Sequence, residues 1–192
     1  MTPNIKIANA AMAEARAIIA QGGLVAFPTE TVYGLGADAT NDAAVAAIFD
    51  TKKRPAFNPL IVHFANCEML APHVIMTDLA TSLADAFWPG PLTLVLKRAP
   101  DTPISKLVSA GLETMAVRVP KHPIAQSLIR ACNTPIAAPS ANRFGDISPT
   151  RAEHVAASLG DGKALILDGG QTDIGIESTV IDLSENTPTL LR

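Results

Sequence analysis

The chain has 192 residues, of which 48% are hydrophobic and 4% aromatic, with 15 basic against 18 acidic side chains. This length suits a single domain spanning residues 1–192, and the hydrophobic content excludes a disordered chain. The net charge of −3 argues against a protein that coats nucleic acid through its overall charge. Any basic cluster is therefore expected to be local and directed at a small anion.

Two further absences in the sequence set the expected location. No apolar run approaches the ~18 residues of a membrane span, and the start MTPNIKIANA lacks the apolar core of a secretion signal. Cys67 and Cys132 lie far apart without metal-like spacing, which indicates ordinary thiols in a reducing compartment. We therefore expect a cytoplasmic protein without membrane contact.

The first elements follow from apolar spacing. Apolar residues at helical spacing from Ala8 to Ile19 predict a first helix, which Gly22 and Gly23 end. The stretch LVAFP predicts a buried strand ended by Pro28. A second helix is predicted to follow, capped by Asn41 or Asp42.

The rest of the chain continues this mixture. Ser148 or Thr150 is predicted to lie near the start of a helix that Gly160 follows. Further strands are predicted over 59–64, 92–97, 114–120, 135–141, 164–170, 177–183 and 189–192. One further helix is predicted to end near residue 88, and two more are predicted over 124–132 and 148–160. Helices alternate with strands, but the late strands follow one another closely. The sequence therefore predicts an α/β domain with a mixed, part parallel and part antiparallel sheet.

Polar residues crowd together directly after the first buried strand, in TETVYGLG. Hydroxyls of Thr29 and Thr31 stand beside Glu30, and Gly34 and Gly36 permit unusual φ values or close backbone approach. Strand ends are where α/β folds place ligands. We expect a turn that contributes to a binding site; the alternative is a tight structural turn.

A second polar segment is TKKRPAFNPLIVH. The three basic residues 52–54 are predicted to lie just past the end of a helix, and Pro55 and Pro59 restrict the backbone that follows. Asn58 and His63 then bracket an apolar strand. The alternatives are a solvated surface that complements the helix dipole and a structural histidine. No second histidine lies at metal spacing, so zinc is not expected.

Two more segments and the last residue complete the polar set. Arg118 interrupts an apolar strand and shares a face with Thr114, so it could hold a carboxylate in a two-pronged bond or point to solvent. The proline-rich loop PIAAPSANRFGDISPT offers Ser140 and Ser148, which suit phosphate binding or simple capping. Arg192 follows an apolar TLL.

No known nucleotide fingerprint or nucleophile arrangement occurs in the sequence. It contains neither GxxxxGK[ST] nor GxGxxG, and no Ser/His/Asp set, Cys/His pair or paired carboxylates stand out. Cations and hydroxyls without an evident nucleophile suit catalysis by positioning and charge stabilisation. Phosphoryl or nucleotidyl transfer proceeds in that way.

Taken together, the segments resemble one family. FPTETVYGLGADA, KKRPAFNPLIVH, WPGPLTLVL, AVRVPKHP, PIAAPSAN, SPT and GIESTVID are similar to the motifs of the YrdC/Sua5 family, the threonylcarbamoyl-AMP synthases, in the family's order. The resemblance runs from about residue 22 to 192. It implies a twisted mixed sheet flanked by helices around a large concave cavity. It also implies that L-threonine, bicarbonate and ATP are converted to threonylcarbamoyl-AMP and pyrophosphate.

The resemblance also implies roles for individual residues. L-threonine would be held by Thr31, His63, Arg118 and Ala138, and ATP by Lys52, Arg54, Asn58, Thr114, Ser140, Ser148 and Arg192. Lys52 and Arg54 would stabilise the charge that builds on the phosphates. Mg²⁺ would arrive on the triphosphate, since the sequence offers no protein metal cage.

The product would serve the threonylcarbamoyl modification of adenosine 37 in tRNAs that read codons starting with A. A separate transferase would complete that modification, and direct tRNA binding would be weak.

Two features depart from the family pattern. Phe144 stands in SANRFG where many relatives have a small polar residue. We also expect no second domain of the longer Sua5 type, as in the short TsaC-type form. The rival interpretations are an RNA-binding module, another carbamoyl-adenylate enzyme like the related domain of hydrogenase maturation proteins, and a purely structural protein. The acidic net charge argues against the RNA-binding module, and the missing zinc-finger cysteines argue against the hydrogenase-maturation type of enzyme. The clustered cations argue against a purely structural protein.

Overall fold

The computed structural model describes residues 3–160 and 162–192 of the chain. Its strands are β1 (Ile5–Ile7), β2 (Val25–Pro28), β3 (Tyr33–Asp38), β4 (Ile61–His63), β5 (Leu92–Lys97), β6 (Thr114–Arg118), β7 (Ile136–Ala137), β8 (Leu165–Asp168), β9 (Thr179–Asp182) and β10 (Thr189–Leu190). Its helices are α1 (Ala8–Ala20), α2 (Asp42–Lys52), α3 (Cys67–Leu70), α4 (Asp78–Phe87), α5 (Pro123–Cys132) and α6 (Ala152–Leu159). Short 3-10 helices lie at Ala71–His73 and Lys106–Ser109.

The strands form one mixed sheet in the order β1-β8-β2-β3-β7-β4-β6-β5-β9-β10. Parallel pairs join β8 to β1 and to β2, β4 to β6, and β5 to β9. Antiparallel pairs join the other neighbours. The predicted mixed α/β sheet is therefore confirmed.

The two faces of the sheet differ in what covers them. Successive strand residues point to opposite faces, so Val62 and Val117 pack with α2, α4 and α6 in the larger core, whereas Phe27 packs with α1 and α5 in the smaller one. Ile61 and His63 alternate with Val62 and thus face the side of α1 and α5. That side is only partly covered by helices, and the rest of it is open to form a cavity.

The first two helices begin and end as their sequences predict. Helix α1 buries Ala11, Ala15 and Ile19 against the sheet, and the chain leaves it through Gly22 at φ +79°. Asn41 caps α2 by accepting a hydrogen bond from the backbone of residue 44 at 3.1 Å. These outcomes confirm the predicted helical stripe and the predicted cap.

The stretch after β2 differs from the prediction. Residues 29–32 form the turn, but Gly34 and Gly36 lie inside β3 rather than in the turn, with ordinary negative φ. A Cβ at position 36 would come within 2.6 Å of the Phe27 ring and 2.8 Å of Ile136. Glycine is needed there because the neighbouring strands press against the backbone, and not because the chain turns.

Three smaller points differ from the sequence analysis. Helix α6 begins at Ala152 rather than at 148; its N-cap is Arg151, without a side-chain hydrogen bond, so Thr150 lies near the helix start as predicted. Lys52 is the last residue of α2 rather than lying beyond it. Strand β1 was not predicted, since its alternation of apolar and polar residues spans only three positions. Among the described residues, no helix combines the length and apolar character that crossing a membrane requires.

Candidate active site

A cavity of about 320 Å³ lies over the open part of the sheet. Its floor consists of strand residues that alternate with core positions, among them Gly34, His63, Val95 and Arg118. The walls come from the turn 29–32 and from residues 54–59, 138–140, 177–178 and 191–192. This volume falls within the range of small-molecule sites.

The turn 29–32 presents two hydroxyls to the cavity. Thr29 Oγ1 accepts hydrogen bonds from the backbone N–H groups of Thr31 and Val32, each at 3.2 Å, and lies 2.8 Å from Thr31 Oγ1. It also lies 2.7 Å from the carbonyl of Val32. The polar side chains of this stretch therefore hold one another in place, and Thr29 and Thr31 both line the cavity.

Arg118 is fixed on three sides. Its Nε donates to the carbonyl of Gly90 at 3.1 Å, Nη1 donates to Thr31 Oγ1 at 3.0 Å, and Nη2 donates to Glu30 Oε1 at 2.6 Å. Burial lowers the pKa of Arg118 from its usual value and Glu30 raises it, and a guanidinium stays protonated in proteins. Each terminal nitrogen keeps one further N–H, which suits a two-pronged bond to a carboxylate.

His63 is a neutral residue on the cavity floor. Burial, and then the positive charge of Arg118, lower the pKa of His63 to about 3. Its ring meets Phe27 edge-on, and within the described residues its buried Nδ1 has no hydrogen-bond partner. A ligand that reaches this nitrogen would complete its hydrogen bonding. The small side chain of Ala138 lies on the same cavity wall.

Arg54 and Asn58 form a second polar group across the cavity. Arg54 Nη2 donates to Asn58 Oδ1 at 2.7 Å and to the carbonyl of Pro59 at 2.9 Å, while Nε donates to the carbonyl of Asn58 at 3.1 Å. The ring of Phe144 lies 5.9 Å from the guanidinium carbon. The departure from the family pattern at position 144 thus places an aromatic face against a cation that lines the cavity.

Lys52 has a different environment from Arg54. Its side chain is 1% exposed, and its Nζ donates to the carbonyls of Ser140 and Asn142. Burial, and then the charge of Arg54, lower the pKa of Lys52 to about 7. Between Lys52 and Arg54, the backbone of Lys53 is left-handed, at φ +54°. The side chain of Lys52 is buried in the protein, whereas that of Arg54 lines the cavity.

The far wall joins the chain's last residue to the segment GIEST. Arg192 forms an ion pair with Glu177 and donates to the carbonyl of Ser178 at 2.9 Å and to its hydroxyl at 3.2 Å. Ser148 Oγ donates to the other oxygen of Glu177 at 2.9 Å. Arg192 is therefore bound to the wall, and Ser148 contacts the cavity only through Glu177.

The structure brings most of the predicted site residues to one cavity. Eight of the predicted residues line it: Thr31, Arg54, Asn58, His63, Arg118, Ala138, Ser140 and Arg192. Three do not: Lys52 is buried beside the loop 140–142, Ser148 stands behind Glu177, and Thr114 lies on β6 opposite Lys97, two residues before the lining residue Ala116. Direct ligand contacts of these three stay predictions.

Sequence reasoning missed three residues of this site. Glu30 holds Arg118, and Glu177 and Ser178 hold Arg192. All three residues lie inside motifs that the sequence analysis quotes, Glu30 in TETVYG and the other two in GIESTVID. The partners are 88 and 15 residues away, and a single sequence does not reveal such pairs.

Glu177 is also the carboxylate that lines the cavity. Across the described ranges, no group of three or more His, Cys, Asp or Glu side chains is arranged to hold a metal ion. Oxygen ligands are those Mg²⁺ prefers, and it is usually held by one or two carboxylates and substrate phosphates. Arg192 and Ser148 already bind the two oxygens of Glu177, so a metal ion that enters with a nucleotide stays a prediction.

Comparisons with known proteins agree with the motif resemblance. A sequence model of the Sua5/YciO/YrdC family, described as "Telomere recombination", matches residues 17–192. A threonylcarbamoyl-AMP synthase of Bacillus subtilis is 51% identical over 187 residues, covering 94% of this chain and 52% of that protein. The chain spans about half the length of several curated relatives that it matches.

Two solved structures extend the comparison to the fold. Sua5 of Pyrococcus abyssi, solved in complex with L-threonine, has a TM-score of 0.91 at 52% identity, covering 94% of this chain and 53% of that one. Escherichia coli YciO has a TM-score of 0.84 at 26% identity, covering 99% of this chain and 91% of that one. The fold implied by the resemblance is thereby confirmed.

Proposed function

The chain belongs to the Sua5/YciO/YrdC family, and on that premise we propose that it makes threonylcarbamoyl-AMP and pyrophosphate from L-threonine, bicarbonate and ATP. The observation that carries the proposal is the meeting of Arg118 and Arg54 in one cavity, each fixed by hydrogen bonds to neighbouring groups. One cation suits a carboxylate and the other a phosphate. The name of the Bacillus relative and the L-threonine complex of the Pyrococcus relative support the same substrates.

L-threonine would occupy the inner end of the cavity. Its carboxylate would accept the two free N–H groups of Arg118, and its hydroxyl would meet Thr31 or the unpaired Nδ1 of His63. Because His63 is neutral, it can hydrogen-bond without attracting a second carboxylate. The methyl of Ala138 would contact the side chain of threonine. Charge-assisted bonds of this kind contribute about 1.5–3 kcal/mol each.

ATP would occupy the outer end, between Arg54 and Arg192. Both guanidiniums line the cavity and would contact phosphate oxygens, with Asn58 and Ser140 as neutral partners. Mg²⁺ would enter on the triphosphate, and the carboxylate of Glu177 could complete its oxygen ligands. Lys52 would support this end indirectly, because it binds the backbone carbonyl of Ser140.

The chemistry would proceed in two steps. The neutral amine of threonine attacks CO₂ or bicarbonate, which forms N-carboxy-threonine and, from bicarbonate, releases water. An oxygen of the new carboxylate then attacks the α-phosphorus of ATP, and the bond to the β-phosphate oxygen breaks to release pyrophosphate. Negative charge builds on the phosphate oxygens near Arg54 and Arg192, where these fixed cations would lower the barrier.

The product would then leave for a second protein. Threonylcarbamoyl-AMP is a mixed anhydride, and a separate transferase would move its threonylcarbamoyl group to adenosine 37 of tRNAs that read codons starting with A. Direct tRNA binding would be weak, since the net charge is −3. We propose a cytoplasmic location, where ATP, threonine and tRNA are all present.

Pyrophosphate release tests the proposal. Purified protein is incubated with ATP, Mg²⁺ and bicarbonate, with and without L-threonine, and the product is identified by mass spectrometry. We expect release that depends on threonine and is lost when serine or valine replaces it. A folded protein that binds ATP but releases no pyrophosphate with threonine would overturn the proposal.

Two controls address the rival functions. Release of pyrophosphate with carbamate, formed from ammonia and bicarbonate, in place of threonine and bicarbonate would indicate the carbamoyl-adenylate activity instead. Tight and steeply salt-dependent tRNA binding without ATP turnover would indicate an RNA-binding module. Arg54→Met serves as the matched inactive variant, because the substitution keeps much of the side-chain volume and removes the charge.

A further inference from the structure

We propose that the protein has a second small-molecule site, separate from the candidate active site, for a small anion with a flat apolar body and one hydrogen-bond donor. The site is a cavity of about 430 Å³ between α3, the end of β6 and α5. The residues that carry the argument are Cys67, Trp88, Val119, Lys121, Gln126 and Arg130. It shares no lining residue with the first cavity, and its volume falls within the range of ligand sites.

Gln126 gives this cavity an unused acceptor. The residue is 8% exposed, and its Nε2 donates to the carbonyl of Pro120 at 2.7 Å, which fixes the orientation of the amide. Its Oε1 is buried and has no hydrogen-bond partner in residues 3–160 and 162–192. Buried acceptors without partners are uncommon because they lose hydration without compensation. A hydroxyl or N–H of a ligand would supply the missing donor.

The charged groups of the cavity favour an anion. Lys121 and Arg130 contribute two cations, and its described lining residues include no carboxylate. Burial, and then the negative charge of Asp85, raise the pKa of the Cys67 thiol, so it stays neutral near pH 7 and adds no negative charge. A carboxylate or phosphate at the mouth would therefore meet two cations, while the carboxylate of Asp85 acts on Cys67 from outside the described lining.

The remaining lining is apolar and includes a flat surface. The indole Nε1 of Trp88 donates to the carbonyl of Leu92 at 2.6 Å, so its polar atom is already satisfied and the ring offers apolar contact. Val119 adds a buried aliphatic contact. An aromatic ring in the ligand could stack on the indole or pack on the aliphatic side. Together the three features define an aromatic or similarly flat anion with a hydroxyl or amino donor.

Trp88 also provides the measurement, since it is the only tryptophan of the chain. Its indole N–H gives a single resonance in a nitrogen–proton correlation spectrum. The probe is 4-hydroxybenzoate, which has an anion, a flat ring and a hydroxyl donor. Benzoate lacks the donor, and 4-hydroxybenzyl alcohol lacks the anion. We expect a saturable shift with 4-hydroxybenzoate and at least fivefold weaker binding of each comparison compound.

Variants separate the proposed contacts. Gln126→Leu should make benzoate and 4-hydroxybenzoate bind equally, because it removes the acceptor. The double variant Lys121→Gln/Arg130→Gln should weaken 4-hydroxybenzoate at least tenfold. The matched control Lys106→Gln/Lys163→Gln removes two exposed charges elsewhere and should leave binding unchanged.

The proposal is overturned if none of the three compounds shifts the Trp88 resonance saturably at millimolar concentration. It is also overturned if 4-hydroxybenzoate binds the Lys121→Gln/Arg130→Gln variant as tightly as the unchanged protein. That variant changes only exposed side chains, so it should fold even if Gln126→Leu does not. Equal loss in the control variant would attribute the effect to overall charge and would likewise reject the site.

Discussion

Arg118 and Glu30 form an ion pair inside the protein, with 2.6 Å between Nη2 and Oε1 and side chains only 4% and 5% exposed. The second oxygen of Glu30 accepts hydrogen bonds from the backbone N–H groups of Lys121 and His122 at 3.0 and 3.4 Å. The pair therefore ties the turn after β2 to the end of β6. A buried pair of this kind is costly to form but much more costly to break on one side.

Removing Glu30 should therefore destabilise the fold strongly. Glu30→Ala leaves the Arg118 charge buried without its partner, and we expect the free energy of unfolding to fall by about 3–5 kcal/mol. Glu30→Gln keeps an acceptor and should lose less. Urea unfolding followed by circular dichroism measures both. The matched control is Glu14→Ala, which breaks an exposed pair with Lys6 and should cost about 0–1 kcal/mol. Similar losses at the two sites would contradict this prediction.

The two guanidiniums should control different ligands. Arg118→Ala should weaken L-threonine far more than ATP, because it removes the proposed carboxylate contact, and Arg54→Ala should do the reverse. Isothermal calorimetry measures each affinity, and circular dichroism must show that each variant is folded. If Arg118→Ala does not fold, Arg118→Lys keeps the charge and loses the forked geometry. Equal losses of both ligands in both variants would reject the assignment.

Lys52 and Arg54 should differ in what their loss affects. Lys52→Met should lower the free energy of unfolding by about 1–3 kcal/mol, since it leaves the buried carbonyls of Ser140 and Asn142 without a hydrogen-bond donor. Arg54→Met should change stability less and reduce ATP affinity more. Paired urea titrations and nucleotide titrations test the contrast. A fully stable Lys52→Met protein that has lost ATP binding would instead indicate direct contact between Lys52 and the phosphates.

His63 should make the protein sensitive to acid. In the folded state its pKa is about 3, whereas the unfolded chain restores a pKa of about 6.5. Between those values the unfolded state binds more protons, so the free energy of unfolding falls as the pH drops from about 6.5 towards 3. Within that window this group contributes a slope of about 1.4 kcal/mol per pH unit.

Substitution isolates the contribution of His63. His63→Gln should flatten the dependence of the urea midpoint on pH below 6.5, whereas His154→Gln, at an exposed histidine, should leave it unchanged. An unaltered slope in His63→Gln would show that this histidine is not held neutral by the fold.

Phe144 should support Arg54 modestly. Its ring lies 5.9 Å from the guanidinium carbon and is about half exposed, so the cation–π contact is worth about 0.5–1 kcal/mol. Phe144→Ser should therefore weaken ATP binding about two- to fivefold, and Phe144→Tyr should retain it. Calorimetric titration of both variants tests this. Unchanged affinity in Phe144→Ser would leave the aromatic residue without a role in the site.

Much of the fold was accessible from the sequence because the signals are local. The stripe of α1, the Asn41 cap and the apolar runs of β4, β5 and β6 each follow from neighbouring residues. Strand β3 was missed because Gly34 and Gly36 are typical of turns. Their role depends on the approach of Phe27 and Ile136 from neighbouring strands, and this becomes visible only after the sheet is assembled.

The site shows the same limit. Arg118 and Arg54 stand out in sequence as cations beside apolar strands, and both reach the cavity. Lys52 looks equivalent to Arg54, yet the left-handed turn at Lys53 separates their directions. Glu30 has no local partner, and its pairing with Arg118 depends on how two distant strand ends meet. Which residues carry suitable chemistry can thus be predicted from the local sequence. The direction in which each side chain points and the group with which it pairs depend on the tertiary structure.

The position of β8 between β1 and β2 bears on when the protein can fold. Strands β1 and β2 find their parallel neighbour only in residues 165–168, more than 130 residues further along. During synthesis they must wait until residues 165–168 have emerged, and the pairing of β5 with β9 imposes a similar delay on the other half of the sheet. Such long-range parallel contacts make folding slow. The nascent chain therefore exposes unpaired strand edges until residues 165–168 and 179–182 have been translated, which makes this interval the one in which protection by chaperones matters most.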